Sequence, residues 1–332
     1  MRKLIIYHFE DNDGVCSCAL IKNELVNSGE KEIDLLGSNY ASLDKLMQDN
    51  DFDEYFGKYD RVYMTDVSFN DWTYMKKLHD KFGENFIWFD HHAPIIADSH
   101  KYGFDDAPGY RDTTMSAILC VYHYYAGEEY DWDTAPTLLR LLSAWDCWSW
   151  VREGIGEEFI RAFNAGVTAI SELSVNYFFD NIGAFLMPGS QSKWYHYPTD
   201  GEPYVRNFIE KFLVTGTDII RRQDRAAEVL VLDYGEQGWK VDGEENAVMI
   251  VTSGPTNSQM FKCVKDKLEH GICFKHTKEG KWLVSLYNTR NDITFDCGAY
   301  LRKKYGGGGH VGAAGCTLDN EQFYKVIKEK SL

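Results

Sequence analysis

The sequence predicts an α/β protein of two domains: an N-terminal domain with a parallel sheet and a smaller C-terminal α/β domain, with the active-site cleft between them. A chain of 332 residues is too long for one compact core and long enough for two. In the first third, short β-branched or aromatic runs alternate with helical patterns, the rhythm of βαβ units. Hydrophobic residues make up 44% of the chain, so each half can bury a core.

Four strands are predicted in the N-terminal domain, and each ends where polar residues begin. They span residues 3–7, 33–36, 61–65 and 86–89. A helix begins near Gly14, and helical patterns at 116–125 and 135–145 complete the domain. Ligands of open α/β sheets gather beyond the carboxyl ends of the strands, so the polar residues there are expected to face one crevice.

The predicted domain boundaries are 1–185 for a metal-binding catalytic domain, 186–228 for a linker with a bridging helix, and 229–332 for a substrate-binding domain. Aromatic residues, Gly, Ser and Pro are frequent between 166 and 205, as is typical of a connector, and a long helix is expected at about 205–227. The second domain has its own set of predicted elements. Its strands are expected at 229–232, 247–251, 272–274 and 282–287, and its helices at 258–268, 297–305 and 320–330.

The charge and the apolar runs restrict the partners of the protein. A net charge of -16 argues against tight binding of long duplex DNA, which needs Lys and Arg to replace counterions. The N-terminus turns polar at His8, and no apolar run reaches the roughly 20 residues of a membrane span. Eight cysteines without a CxxC pair suit buried thiols in a reducing environment. A cytoplasmic protein without a membrane partner is therefore expected.

Aspartates and histidines cluster at the predicted strand ends and form the strongest chemical signal. They are His8, Asp11, Asp13, Asp66, Asp90, His91, His92 and Asp146. Any one aspartate could simply cap a helix, but so many carboxylates together need cations to neutralise them. Carboxylates with imidazoles suit manganese, with magnesium or cobalt as substitutes, and no cysteine is assigned to the site. Two ions bridged by Asp66 would hold a hydroxide for attack on a phosphoryl group.

A glycine-rich run, Gly306 to Gly309 followed by His310, is the second signal. Consecutive glycines let backbone amides approach a phosphate, which favours a ligand loop over a flexible linker. Ser285 and Arg290 lie upstream as candidate phosphate contacts, because Arg binds phosphate in a bidentate manner. Both are equally consistent with ordinary surface residues.

Together these motifs resemble the DHH phosphoesterases with their C-terminal associated domain, and in particular the bacterial nano-RNase or oligoribonuclease-type members. The residues that carry the resemblance are Asp90-His91-His92, the His and Asp-x-Asp-Gly after the first strand, and the late Gly-Gly-Gly-His run, in the family's order and over nearly the whole chain.

The resemblance implies a role for each residue. One manganese would be held by His8, Asp11 and Asp66, and the other by Asp13, Asp66, His91 and Asp146. Glu10 stays open as the alternative to His8. His92 would contact the scissile phosphate or assist the leaving group, and Asp90 would orient the motif. Arg290, the loop glycines Gly307, Gly308 and Gly309, and His310 would grip the substrate.

The expected function is a manganese-dependent phosphodiesterase, an exonuclease of short single-stranded oligonucleotides or dinucleotides. Two alternatives stay open at this point. The first is a phosphoesterase of cyclic dinucleotides or of small phosphorylated metabolites, and the second is a nucleotide-binding protein that has lost its chemistry. The oligomeric state stays open, with a homodimer as one option, and so does the polarity of cleavage.

Overall fold

The computed structural model describes residues 1–104, 106–127, 135–187, 203–254, 256–290 and 292–332. These residues form two compact units, Met1–Ile219 and Ile220–Leu332. The α/β class is confirmed, with a parallel sheet in the first unit and a second, smaller α/β unit after it. The predicted boundaries at 185 and 228 and the predicted cleft stay predictions, and residues 188–202 of the predicted linker lie outside the described residues.

The first unit contains five strands and ten helices in its described part, together with the first half of an eleventh helix. The strands are β1 Arg2–His8, β2 Glu32–Ser38, β3 Arg61–Thr65, β4 Phe86–Asp90 and β5 Gly109–Arg111. The helices are α1 Asn12–Asn27, α2 Tyr40–Asp49, α3 Phe52–Phe56, α4 Trp72–Phe82, α5 Ala93–Tyr102, α6 Ala117–Ala126, α7 Thr137–Asp146, α8 Glu157–Ser171, α9 Val175–Asp180, α10 Ile182–Phe185 and α11 Pro203–Tyr234.

The sheet of the first unit is wholly parallel, in the order β2-β1-β3-β4-β5. Side chains alternate across it, so Ile5 packs in one core while Leu4 and Ile6 pack in another. The first core contains residues of α1, α6, α7 and α8, and the second contains residues of α2, α3 and α4. The sheet is therefore covered on both faces. The carboxyl ends of its strands are the place where a ligand of such a sheet is expected.

The second unit is built on a six-stranded mixed sheet, in the order β10-β11-β9-β8-β7-β6. Only the β7–β8 pair is parallel among the pairs described. The strands are β6 Glu236–Val241, β7 Glu244–Val251, β8 His270–His276, β9 Trp282–Asn288, β10 Gly308–Gly309 and β11 Ala313–Leu318. The helices after α11 are α12 Cys297–Tyr305 and α13 Asn320–Glu329, with a 3-10 helix at Ser258–Val264.

Three sequence expectations for individual elements are wrong. The helix expected at residues 258–268 is a shorter 3-10 helix, Ser258–Val264. The strand expected at residues 229–232 is the last part of α11, where Val231 is buried while Val229 and Leu232 are exposed. A run of four aliphatic residues fits either period, so the pattern could not separate a strand from a helix. The connector expected from residue 166 instead contains the end of α8 and the short helices α9 and α10.

Across the described residues, none of the helices combines the length and the apolar character that crossing a membrane would require.

Candidate metal centre

Three neighbouring parallel strands bring the predicted ligands together. β1 ends at His8, Asp66 follows β3, and β4 ends at Asp90, which is followed by His91. Because these strands are adjacent and parallel, their carboxyl ends meet at one edge of the sheet. His8 Nδ1 lies 3.5 Å from Asp66 Oδ2, and His91 Nε2 lies 3.3 Å from Asp66 Oδ1. Asp66 thus lies between the two histidines.

Helix α1 is held directly against the end of β1. Asp11 is its N-cap and accepts a hydrogen bond from the Gly14 amide at 3.0 Å. A Cβ at Gly14 would lie 2.2 Å from the His8 carbonyl oxygen, so only glycine permits this approach. The other carboxylate oxygen of Asp11 lies 2.9 Å from His8 Nδ1. Asp11 therefore caps the helix, as the sequence predicts, and is at the same time a candidate ligand.

Of the two candidates for the first ligand, His8 is the one beside Asp66. Glu10 accepts a hydrogen bond from Asn39 Nδ2 at 2.8 Å and is exposed. Its second oxygen lies 3.5 Å from His8 Nε2. Glu10 therefore contacts the outer nitrogen of His8, and His8 rather than Glu10 faces Asp66.

His91 contacts three aspartates in the second half of the cluster. Its Nε2 lies 3.2 Å from Asp146 Oδ2 and 3.7 Å from Asp13 Oδ2, in addition to its contact with Asp66. Its Nδ1 lies 3.7 Å from the Sγ of Cys147. Asp146 and Cys147 stand at the carboxyl end of α7, which supplies the fourth chain segment of the site.

Asp13 is almost fully buried and is tied to the start of α6. Its two carboxylate oxygens accept hydrogen bonds from the amides of Ala117 and Ile118, at 2.8 and 2.9 Å. A carboxylate suits this position because the first amides of a helix lack partners and carry partial positive charge. Asp13 is therefore both an anchor for α6 and a carboxylate facing His91.

Asp90 is completely buried and organises the two histidines that follow it. Its Oδ1 accepts hydrogen bonds from the backbone amides of His91 and His92, at 2.7 and 2.9 Å. The same oxygen lies 2.9 Å from His92 Nδ1. The carboxylate thus fixes the turn after β4 and the orientation of the His92 ring.

The charges of the cluster shift its pKa values in opposite directions. Burial lowers the pKa of His8, but the hydrogen bond to Asp11 and the charge of Asp66 raise it to about 11. For His91, burial again opposes the rise, yet the pKa lies far above its usual range because Asp66 and Asp146 are so close. Burial raises the pKa of Asp66, but His8 and His91 bring it below its usual range. The carboxylates of the cluster therefore stabilise positive charge on the groups next to them.

The remaining two aspartates respond to the same crowding. Burial and the charge of Asp66 raise the pKa of Asp13 to about 7. Burial and the charge of Asp13 raise the pKa of Asp146 well above its usual range. Like charges held together in a buried place are costly unless cations neutralise them.

Three groups of possible ligand atoms, each within 4.8 Å of one another, occur in the described part of the chain. They are His8 with Asp11 and Asp66; Asp66 with His91 and His92; and His91 with Asp146 and Cys147. Two buried oxygens beside His91, Asp66 Oδ1 and Asp146 Oδ2, accept no hydrogen bond from the described residues. Buried carboxylate oxygens that face an imidazole and accept no hydrogen bond fit a divalent cation, so the residues present suit the expected metal.

Sequence reasoning missed two residues of this centre, Cys147 and Tyr40. Cys147 directly follows Asp146, so its position next to a predicted ligand was the available signal. Tyr40 is the first residue of α2 and its hydroxyl lies 3.3 Å from His92 Nδ1. The sequence around Tyr40 has no motif that indicates chemistry. Tyr40 lies near the centre because the chain turns into α2 directly after β2.

The three predicted substrate-binding segments, at residues 285, 290 and 307–310, belong to the second unit. Ser285 lies on β9, and Gly307 to His310 form the β10 side of a hairpin that closes with the His310 amide donating to the Ala313 carbonyl at 2.8 Å. Gly309 has a φ of 140°, and a Cβ there would lie 2.6 Å from the Ala313 oxygen. The glycines therefore also serve packing within the unit.

Arg290 follows β9 and is already engaged inside the second unit. Its Nε donates to Asp292 at 3.0 Å, and one terminal nitrogen donates to the Lys265 carbonyl at 2.6 Å. His310 is exposed at the tip of the hairpin. A phosphate contact by Arg290 would have to share its donors with these protein groups.

No family model and no curated protein match the sequence. Among solved structures, the chain is similar to the pGpG-specific phosphodiesterase PggH from Vibrio cholerae, at 16% identity and a TM-score of 0.43 over 99% of this chain and 97% of that one. It is similar to an exopolyphosphatase-related protein from Bacteroides fragilis, at 15% identity and a TM-score of 0.44 over 99% and 91%. It is also similar to the exonuclease RecJ bound to manganese, at 14% identity and a TM-score of 0.46 over 99% and 89%.

These likenesses run along the full chain, but their TM-scores and identities are low. They assign neither a family nor an activity to this protein.

Proposed function

We propose that this protein is a divalent-metal-dependent phosphodiesterase of the DHH type that hydrolyses short oligonucleotides. The observation that carries the proposal is the position of Asp66, one carboxylate between His8 with Asp11 on one side and His91 with Asp146 on the other. A carboxylate shared by two ligand groups is the arrangement that two-metal phosphoesterases require.

The residues divide into two ligand sets around Asp66. His8, Asp11 and Asp66 would hold one ion, and Asp13, Asp66, His91 and Asp146 the other. Mixed carboxylate and imidazole ligands favour manganese, with magnesium or cobalt as substitutes. When bound, such ions activate water and stabilise the negative charge that develops on phosphoryl oxygens.

His92 is the proposed acid for the departing sugar oxygen. Asp90 cannot donate a hydrogen bond as a carboxylate, so the proton between them sits on His92 Nδ1. Burial lowers the pKa of His92, but the hydrogen bond to Asp90 raises it above its usual value. His92 therefore carries a second proton, on Nε2, more readily than an isolated histidine, which is what proton transfer to a leaving group needs.

The second unit is the proposed source of substrate contacts. Ser285, Arg290, Gly307, Gly308, Gly309 and His310 would hold the terminal nucleotide, with residues 229–332 as the substrate-binding domain. The net charge of -16 supports a short ligand, because tight binding of a long duplex needs Lys and Arg in excess to replace its counterions. All eight cysteines are free thiols, which fits a reducing cytoplasm.

The test is hydrolysis of a 5'-labelled RNA pentamer beside cyclic di-AMP, with Mn²⁺ or with a chelator. We expect Mn²⁺-dependent release of mononucleotides from the pentamer by the wild-type protein and none by Asp66→Ala. Cleavage of cyclic di-AMP alone would replace oligonucleotides by cyclic dinucleotides as the substrate. Hydrolysis that survives in Asp66→Ala, or that is indifferent to the chelator, would overturn the proposed site.

A further inference from the structure

Tyr40 is built into the metal centre by the start of α2. Asn39 caps this helix in a reciprocal pair with Ser42, each donating a backbone amide to the side chain of the other at 2.9 Å. Asn39 also donates to Glu10 at 2.8 Å, next to His8. These contacts hold the start of α2, and with it the backbone of Tyr40, close to His8.

The ring of Tyr40 lies between the two histidines at the ends of the cluster. Its centroid is 6.1 Å from that of His8 and 5.9 Å from that of His92, with an edge-to-face arrangement against His92. These histidines belong to different ligand groups that share Asp66. Tyr40 is thus adjacent to both halves of the centre while remaining half-buried, within reach of a ligand.

The hydroxyl proton of Tyr40 is not needed for the contact between Tyr40 and His92. His92 Nδ1 lies 2.9 Å from Asp90 Oδ1, and because a carboxylate can only accept, this nitrogen is assigned as the donor. The Tyr40 oxygen, 3.3 Å from the same nitrogen, can then only accept from it as the weaker partner of a shared hydrogen bond. Its own O–H is therefore not used in this contact and can donate to another acceptor.

We propose that Tyr40 is a substrate-contacting residue whose hydroxyl donates a hydrogen bond to a non-bridging oxygen of the phosphoryl group bound at the Asp66 cluster. This inference rests on the proposed function, since it takes the ligand of the centre to be a phosphodiester. An anionic oxygen is a strong acceptor, and a neutral phenol supplies a donor without adding charge to a centre already crowded with carboxylates.

The rival explanation is that Tyr40 only separates His8 from His92. The two roles involve different parts of the side chain, so they can be tested separately. Tyr40→Phe removes the hydroxyl and keeps the ring, whereas Tyr40→Leu removes the ring as well. Tyr102→Phe is the matched control, because this exposed tyrosine lies at the far end of α5, about 15 Å from His92 along the helix axis.

The experiment measures two affinities of each variant by titration calorimetry. The first is for Mn²⁺ alone, and the second is for a 5'-phosphorylated dinucleotide with an uncleavable methylenephosphonate link, in saturating Mn²⁺. For Tyr40→Phe we expect unchanged Mn²⁺ affinity and roughly 10- to 100-fold weaker dinucleotide binding, the range for a hydrogen bond to a charged group. Tyr102→Phe should match the wild type in both.

Each other outcome has a definite meaning. Equal dinucleotide affinity in Tyr40→Phe and wild type would overturn the inference and leave the proposed function intact. Weaker binding only in Tyr40→Leu, together with weaker Mn²⁺ binding, would show that the ring is merely a spacer. Wild-type protein that binds Mn²⁺ but no dinucleotide would overturn the proposed function and this inference with it.

Discussion

Asp66 has a backbone conformation that few side chains adopt, with a φ of 59°. Aspartate tolerates this left-handed region better than most residues, and the turn after β3 needs it to aim the carboxylate back over the strand ends. The Asp66 amide donates to the Phe89 carbonyl at 3.1 Å, which fixes the turn to β4. Asp66, the proposed central ligand, is therefore held by a hydrogen bond to a neighbouring strand of the sheet.

His270 gives a residue-scale prediction for the second unit. It is 1% exposed, its Nδ1 has no hydrogen-bond partner among the described residues, and burial lowers its pKa from the usual 6.5. The unfolded chain takes up a proton near pH 6.5 and the folded chain only at a lower pH, so the free energy of unfolding should fall as the pH drops below 6.5. We expect His270→Gln to lack this loss between pH 7 and pH 5.

The measurement is urea unfolding at several pH values, compared as a slope because the substitution also changes the absolute stability. One differential proton contributes at most about 1.4 kcal/mol per pH unit. His276→Gln, at an exposed position of the same strand, should keep the wild-type slope. The same slope in His270→Gln and wild type would contradict the assignment.

At this scale the sequence indicated which side chains come together in most of the candidate metal centre, but not in all of it. His8, Asp66, Asp90 and His91 each end or follow a strand, so the alternation of strands and helices was sufficient to bring them together. Tyr40 could not be found in this way, since it is placed by the packing of α2 rather than by a strand end. Cys147 lies at a helix end, where its distance from His91 depends on how α7 packs.

At the scale of elements, helices α8 and α11 pack so closely that their backbones meet. A Cβ at Gly166 would lie 1.9 Å from the Phe212 oxygen, and one at Gly216 would lie 1.7 Å from the Ala162 oxygen. The helices carry Phe163 and Phe212 into the first core, which also contains residues of α1. This contact therefore supports the helical layer that contains α1, whose N-cap is the proposed ligand Asp11.

Gly166→Ala and Gly216→Ala should each destabilise the first unit, because the helices must move apart. We expect about 1 to 3 kcal/mol for each, the cost of overpacking a filled interface. Gly183→Ala in α10 is the control, since its Cβ would meet no described heavy atom within 4 Å and alanine favours a helix by about 1 kcal/mol. Chemical unfolding followed by circular dichroism measures all three, and equal stability of Gly166→Ala and Gly183→Ala would contradict the close contact.

The predicted elements with a clear period were found, and the ambiguous ones were not. β3 and α12 match their predicted bounds, since β-branched residues favour the first and a helical pattern the second. α9 and α10 were missed because each is shorter than two full turns, so no apolar period could be recognised in the aromatic-rich segment.

At the scale of the whole molecule, the excess of acidic residues and the metal centre are connected. Of the carboxylates that make up the net charge of -16, five lie in the cluster around Asp66, where bound cations would offset them. They are Asp11, Asp13, Asp66, Asp90 and Asp146. The protein in its active state would therefore carry less negative charge than its sequence indicates.

The most direct test of this account is a Mn²⁺ titration of the metal-free protein followed by electron paramagnetic resonance. We predict two ions per chain with an exchange-coupled signal, because a shared carboxylate brings the ions within roughly 4 Å of each other. Asp66→Ala should lose the coupled signal, and Asp80→Ala, an exposed ion-pair variant on α4, should keep it. A single uncoupled ion in the wild type, or a coupled pair that persists in Asp66→Ala, would contradict the central role of Asp66.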